Sequence, residues 1–348
     1  MEKQIINKLY AEKMLDFEEF KQLLITENKE TICYLAKKAR AVTDSIYGNE
    51  IYIRGLIEFT NYCKNNCLYC GIRSENKNAQ RYRLSVEQIM SCCETGYELG
   101  FRTFVLQGGE DRFFDDTRIC EIVYKIKSKF SDCAVTLSIG EKSKQSYKAY
   151  FDAGADRYLL RHETANENHY KKLHPIEMSP DNRKKCLYNL KEIGYQTGCG
   201  FMVGSPFQSL ENLYEDLCFI KELRPQMVGI GPFIPHRDTP FRANQAGSMD
   251  KTLRLLSIIR LIQPNVLLPA TTALGTIHSS GRELGIKHGA NVVMPNLSPI
   301  AVREKYSLYN NKICTGDEAA ECKNDLTKRI EAIGYKIAVT KGDFREGE

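Results

Sequence analysis

From residue 51 onward, short apolar runs rich in Val, Ile, Leu and Phe alternate with longer amphipathic stretches, the rhythm of successive βα units. Eight runs begin near Ile51, Arg102, Ala134, Asp156, Thr197, Met227, Val266 and Ala290. Helices are predicted near 85–99, 115–129, 143–152, 179–193, 209–223, 250–262 and 281–288. Ser85 before Val-Glu-Gln and Ser209 before Leu-Glu-Asn read as N-caps, each followed by an acid in the first turn. Residues 1–48 are polar and helical, with Ile5, Ile6, Leu9, Phe17, Phe20, Leu23 and Leu24 at helix spacing. The pattern predicts an α/β fold, a (βα)8 TIM-type barrel rather than an open doubly wound sheet. Its expected parts are an N-terminal helical cap (1–48), the barrel (49–298, with a cysteine-bearing loop at 60–73) and a C-terminal helical extension closing the barrel (299–348).

Composition narrows the class without choosing a chemistry. The 348 residues carry 49 basic and 44 acidic side chains, a net charge of +5, with no basic block dense enough for a nucleic-acid stripe. No apolar run approaches a membrane span and no secretory signal is read, so thirteen cysteines argue for a reducing interior, the cytoplasm, over a disulfide framework.

The chemistry starts at Phe59–Arg73, where Cys63, Cys67 and Cys70 stand at C-x3-C-x2-C spacing after a strand-like run. Three thiolates make an incomplete set for structural zinc, which normally takes four N or S ligands. A four-iron cluster held by three cysteines keeps one iron open. A zinc knuckle or chance spacing explains neither the aromatic Tyr69 before the last cysteine nor the preceding strand. The motif resembles that of the radical S-adenosylmethionine (SAM) superfamily. The resemblance implies one [4Fe-4S] cluster on Cys63, Cys67 and Cys70, chelated by SAM, whose reductive cleavage yields a 5′-deoxyadenosyl radical.

Barrel chemistry gathers where strands end. Gly108, Gly109 and Glu110 close the second strand, as a plain Gly-rich turn or, beside the cluster loop, as the superfamily's GGE motif for the SAM amino group. Ser138 ends the third, able to meet a ribose or to cap a turn. On the fourth, Arg161 and Glu163 are two apart and face the barrel mouth together while His162 points away; ligand binding is favoured over a bare salt bridge. Glu163 would suit ribose hydroxyls and Arg161 a carboxylate or another anion, with Arg183 a second candidate for the SAM carboxylate and a solvated helix-face arginine as its equal alternative. Gly198, Gly200 and Gly204, around Met202, suggest close packing against adenine, or bulges. Thr271, Thr272 and Met294 read generically as helix caps and core, and His236 as an exposed loop histidine.

Taken together, IEFTNYCKNNCLYCG, VLQGGED, RYLLRHETAN, MVGIGPFIPH, LPATTALGT, NVVMPN and the terminal Tyr306/Tyr309 region are similar to the blocks of the [FeFe]-hydrogenase maturase E family, in the biotin-synthase-like branch. The resemblance implies an oxygen-sensitive enzyme of H-cluster assembly. Cofactor contacts fall to Tyr69, Gly108, Gly109, Glu110, Ser138, Glu163, Arg183, Gly200 and Met202. Arg161, Thr271, Thr272, Met294, Tyr306 and Tyr309 line the substrate cavity. Implied partners are an iron-containing small-molecule precursor, a ferredoxin or flavodoxin as electron donor, and the other maturases, a radical SAM tyrosine lyase and a scaffold GTPase; a monomer is expected. Some members carry a second cluster on a C-terminal C-x7-C-x2-C set. Here Asp325 replaces the third cysteine after Cys314 and Cys322, so no second cluster is expected and the pair is read as ordinary thiols. The competing expectations are a relative such as methylornithine synthase or biotin synthase, and a non-catalytic iron–sulfur scaffold or carrier.

Overall fold

The computed structural model describes residues 2–313, 316 and 319–346; Cys314 and the side chain of Cys322 lie outside the described residues. Helices α1 (Glu2–Glu12), α2 (Phe17–Ile25) and α3 (Lys29–Tyr47) precede strands β1 (Glu50–Ile53) and β2 (Gly55–Thr60). The chain then runs through α4 (Val86–Glu98), β3 (Thr103–Gly108), α5 (Asp116–Lys129), β4 (Ala134–Ser138), α6 (Lys144–Asp152), β5 (Arg157–Leu159), α7 (Glu167–Leu173), α8 (Pro180–Ile193) and β6 (Gln196–Cys199). Next come β7 (Met202–Val203), α9 (Leu210–Leu223), β8 (Met227–Val228), β9 (Gly231–Pro232), α10 (Met249–Ile262), α11 (Thr272–Ile277) and α12 (Gly281–Lys287). The last elements are β10 (Val292–Val293), α13 (Ile300–Arg303), α14 (Ala319–Glu331) and β11 (Lys336–Ala338).

Strands β2-β3-β4-β5-β6-β8 form one parallel sheet in that order. Parallel bridges Met227–Leu267, Pro269–Val292 and Leu56–Asn296 carry the ring through the runs at 267–269 and 292–296 and back to β2, closing the barrel. Strands walled by helices outside and side chains inside are apolar on both faces, which is why β2 is buried along its whole length. The predicted caps are in place: Ser85 Oγ accepts from Gln88 N at 3.2 Å and Ser209 Oγ from Asn212 N at 3.3 Å, each worth about 1 kcal/mol.

The N-terminal helices lie against the barrel's outer wall. Arg40 donates to the carbonyls of Ile286 and Ala290 at 3.0 and 2.9 Å, and Tyr214 Oη to Leu15 O at 2.9 Å. The C-terminal segment, expected to be helical, also supplies β11, which adds to β1 in parallel. Its tail then crosses the barrel floor, where Lys341 O accepts from Thr103 Oγ1 and Arg157 Nη2 at 2.8 and 2.9 Å. Among the described residues no helix is long and apolar enough to cross a membrane.

Candidate active site at the barrel mouth

The loop after β2 carries the three thiols and is held by backbone contacts on every side. Leu68 N donates to Leu173 O, Gly71 N to Leu308 O and Lys64 N to Glu110 O, at 2.9, 2.9 and 3.0 Å. Arg81 acts as a clamp, donating to the carbonyls of Ile72, Arg73 and Asn76 at 2.8, 2.6 and 3.2 Å. Gly109 is needed where it stands, because a Cβ there would meet Tyr62 O at 2.1 Å, so β3 could not approach the loop.

Cys63, Cys67 and Cys70 are free, half-buried and face one cavity of about 370 Å³. Burial pushes all three thiols up, Cys70 to about 12, so protons leave them only when a positive centre takes their place. Among the described residues no three Cys, His, Asp or Glu side chains converge on a single-ion site. Three thiols on one cavity suit a [4Fe-4S] cubane, which takes one thiolate at each of three irons. Met178 Sδ lies 3.8 Å from Cys67 Sγ, at the edge of the same loop. Tyr69 Oη is 3.2 Å from His174 Nε2, while His174 Nδ1 lies 3.0 Å from Tyr170 O. The carbonyl can only accept, so His174 carries its proton on Nδ1 and receives one from Tyr69.

The cavity wall also holds polar atoms with nothing to bind. Arg161 and Glu163 both line it; Arg161 Nη2 is 3.2 Å from Glu163 Oε2 but out of hydrogen-bond alignment. Arg161 Nε and Nη2, Glu163 Oε2 and Thr271 Oγ1 are buried without hydrogen-bond partners. Buried polar atoms are costly unless satisfied, so this wall is built for a polar ligand. It fits the amino-acid and ribose groups of SAM, and the adjacent thiols fit the cluster. Thr271, read generically as a cap, stands at the N-cap of α11 but makes no cap bond, and its hydroxyl stays unpartnered on a residue that lines the cavity.

Gly108, Glu110, Ser138, Met202, Thr272, Met294, Tyr306 and Tyr309 also line the cavity. Glu110 already has partners, Lys64 Nζ at 3.1 Å and Glu141 N at 3.0 Å. Arg183 reaches the cavity too, but it is paired with Glu141 and donates to Arg161 O at 3.0 Å. Burial works against its charge, and Tyr170 and Glu141 more than offset this, leaving its pKa raised. Gly200 is the exception among the proposed contacts. It has φ +154° and a Cβ there would meet Gly229 O at 2.0 Å, so the missing side chain serves strand packing, and Gly200 does not line the cavity. His236 is buried rather than exposed: its Nε2 is 3.2 Å from Ser307 Oγ and its Nδ1 accepts from Asp238 N.

Sequence reasoning missed a second charged wall. Glu58 on β2 pairs with Lys312, which also donates to Tyr306 O at 3.0 Å, while Asn296 Nδ2 donates to Glu58 at 2.9 Å. Glu141, the anchor of Arg183, was missed as well. At the C-terminus, Asp325 pairs with Arg329 at 3.7 Å on the surface of α14.

Residues 57–220 match the model of the radical SAM superfamily. The chain is 46% identical over 302 residues to the [FeFe] hydrogenase maturase subunit HydE of Thermotoga maritima, covering 87% of this chain and 86% of that one. It is 29% identical to 3-methylornithine synthase of Methanosarcina barkeri over 94% of this chain and 91% of that one. The crystal structure of methylornithine synthase (PylB) superposes with a TM-score of 0.84 at 28% identity, covering 96% of this chain and 97% of that one. HydG, a maturase of the [FeFe]-hydrogenase, shares the fold, with a TM-score of 0.82 at 21% identity over 97% of this chain and 76% of that one. A three-thiol loop over a closed βα barrel, together with identity of this extent, shows that the chain belongs to the HydE family of radical SAM enzymes, which use a [4Fe-4S] cluster and SAM.

Proposed function

We propose that the enzyme acts in maturation of the [FeFe]-hydrogenase H-cluster, in assembly of its di-iron subcluster. The observation that supports this is a single cavity lined both by the three cysteine thiols and by the unsatisfied Arg161, Glu163 and Thr271. Cys63, Cys67 and Cys70 would hold the cluster; Glu163, Arg183 and the Gly108–Glu110 turn, with Tyr69, Ser138 and Met202, would hold SAM. When bound, the reduced cluster and SAM supply a 5′-deoxyadenosyl radical. The chain's own work is then to place the substrate within reach of that radical and keep water out. Arg161 can take an anionic group, Thr271 and Thr272 can donate to it, and Met294, Tyr306 and Tyr309 complete the wall. An iron-containing small molecule with carboxylate and cyanide-like ligands suits that set. The reading includes a ferredoxin or flavodoxin as electron donor, a radical SAM tyrosine lyase and a scaffold GTPase as partner maturases, a monomer, and a cytoplasmic setting.

Anaerobic reconstitution with iron, sulfide, SAM and dithionite tests the core of this. Wild type should hold about four irons and release 5′-deoxyadenosine, and Cys67→Ser should release none. Zinc in anaerobically purified protein, or turnover by the variant, would overturn the ligand assignment. Hydrogenase activation in a cell-free mixture lacking only this protein separates the maturase role from a carbon-skeleton rearrangement of the 3-methylornithine kind.

A further inference from the structure

Behind the Arg161–Glu163 wall lies a buried pair that neither the cluster nor the cavity uses. His162 faces away from the mouth, with its ring edge-on to Phe219 at 4.9 Å between centroids. Its Nδ1 accepts from Gly200 N at 3.3 Å, so the proton of the neutral ring sits on Nε2. That nitrogen is 3.3 Å from Asp216 Oδ1 but out of hydrogen-bond alignment, so the contact is between a polar N–H and a carboxylate held close, and both side chains are fully buried. Asp216 comes from α9, in the next βα unit, and its Oδ1 also accepts from Ala165 N at 2.5 Å. The pair therefore touches the 162–165 segment at both ends, and Glu163 lies between them.

Glu163 needs such a hold. Its φ is +66°, a left-handed conformation that a residue with a Cβ adopts at a cost and keeps only where its surroundings fix it. Glu163 N donates to Gly200 O at 3.0 Å, and Gly200 is the residue whose N–H fixes the His162 tautomer. Two more contacts thus bracket the strained residue, one through His162 and one through Asp216. We propose that His162 and Asp216 are positioning residues that hold Glu163 in its left-handed conformation, with its carboxylate aimed at SAM. This rests on the reading of Glu163 as a SAM contact.

The donor and acceptor pattern makes the idea testable in the reconstituted holoenzyme by SAM cleavage under dithionite. Asp216→Leu removes Oδ1, the one oxygen that faces both His162 Nε2 and Ala165 N. His162→Phe removes both ring contacts, whereas His162→Gln keeps one donor and one acceptor. The first two should raise KM for SAM roughly tenfold with a much smaller change in kcat, the loss of about one hydrogen bond to a charged group. His162→Gln should recover most of the affinity lost in His162→Phe. The SAM-induced change in the reduced cluster's EPR spectrum should need correspondingly more SAM in the impaired variants. Glu163→Gln is the control: if its KM for SAM is that of wild type, the SAM reading itself fails and the inference falls with it. If Glu163→Gln is impaired but Asp216→Leu and His162→Phe keep wild-type KM, the pair serves stability alone and the proposal is overturned. Equal impairment of His162→Phe and His162→Gln would also overturn it, and that comparison decides the matter if Asp216→Leu does not fold.

Discussion

Two walls of one cavity carry an acid and a base each, and they differ in how far those charges are satisfied. On β2, Glu58 receives hydrogen bonds from Lys312 and Asn296, and Lys312 has Tyr306 O besides. At the end of β5, Arg161 and Glu163 sit 3.2 Å apart but misaligned, with three buried polar atoms between them unpartnered. The first wall is complete without a guest and fastens the 306–312 segment across the mouth. The second has left its hydrogen-bonding capacity open, at a cost that a polar ligand would offset. A cavity-facing ion pair is therefore not in itself a mark of function; unpartnered polar atoms gathered on residues of one cavity wall are the better pointer.

Breaking the complete wall should cost most. Lys312→Met leaves Glu58 buried with only Asn296, and should lower unfolding free energy by about 3 kcal/mol in denaturant titrations. Adding Glu58→Gln should restore much of that loss, since no charge then remains unpaired. Equal loss in the single and double variants would show that the pair is not coupled. On the open wall the balance should reverse. Arg161→Leu should change stability by less than about 1 kcal/mol, because few of its bonds are made in the free protein. It should impair processing of the iron-containing precursor more than SAM cleavage, about tenfold. Equal loss of both would place that guanidinium on SAM.

The same contrast marks how far the sequence could be read. The barrel strands were legible because parallel strands buried on both faces leave continuous apolar runs, and the helices because their periodicity and Ser caps are local. Short α7 and α11 offer too few turns for a period to show, and β11 pairs only with β1, nearly three hundred residues earlier, so nothing local announces it. Arg161 and Glu163 both line the cavity, as their two-residue spacing predicts, although β5 itself ends at Leu159. The left-handed turn at Glu163 has no such signature. Glu58 and Lys312 stand 254 positions apart and were missed, since only the closed ring brings them together. Gly200 was misassigned for a related reason: a glycine shows that something comes close, and the sequence does not say whether that is a ligand or, as here, the Gly229 carbonyl.

The smallest expected effect concerns acid. His174 lies under the cysteine loop, bonded to Tyr69, and burial with Arg183 nearby lowers its pKa to about 3. In the unfolded chain it takes a proton near pH 6.5. Above that value both states are neutral and it does not weigh on folding. As pH falls toward 3 the unfolded state gains a proton the folded state refuses, so stability declines. By pH 5.5 the loss from this one side chain should reach about 1 kcal/mol. His174→Phe should flatten that part of the melting-temperature profile, even though His288, lowered by burial to about 4, keeps its own share. Hydrogen exchange at pH 5.5 should rise in 167–178 before it rises in 305–313, because the second segment is fastened by Lys312 and the first by a neutral imidazole. If both segments open together, the two walls are one cooperative unit, and the difference between them is confined to ligand binding.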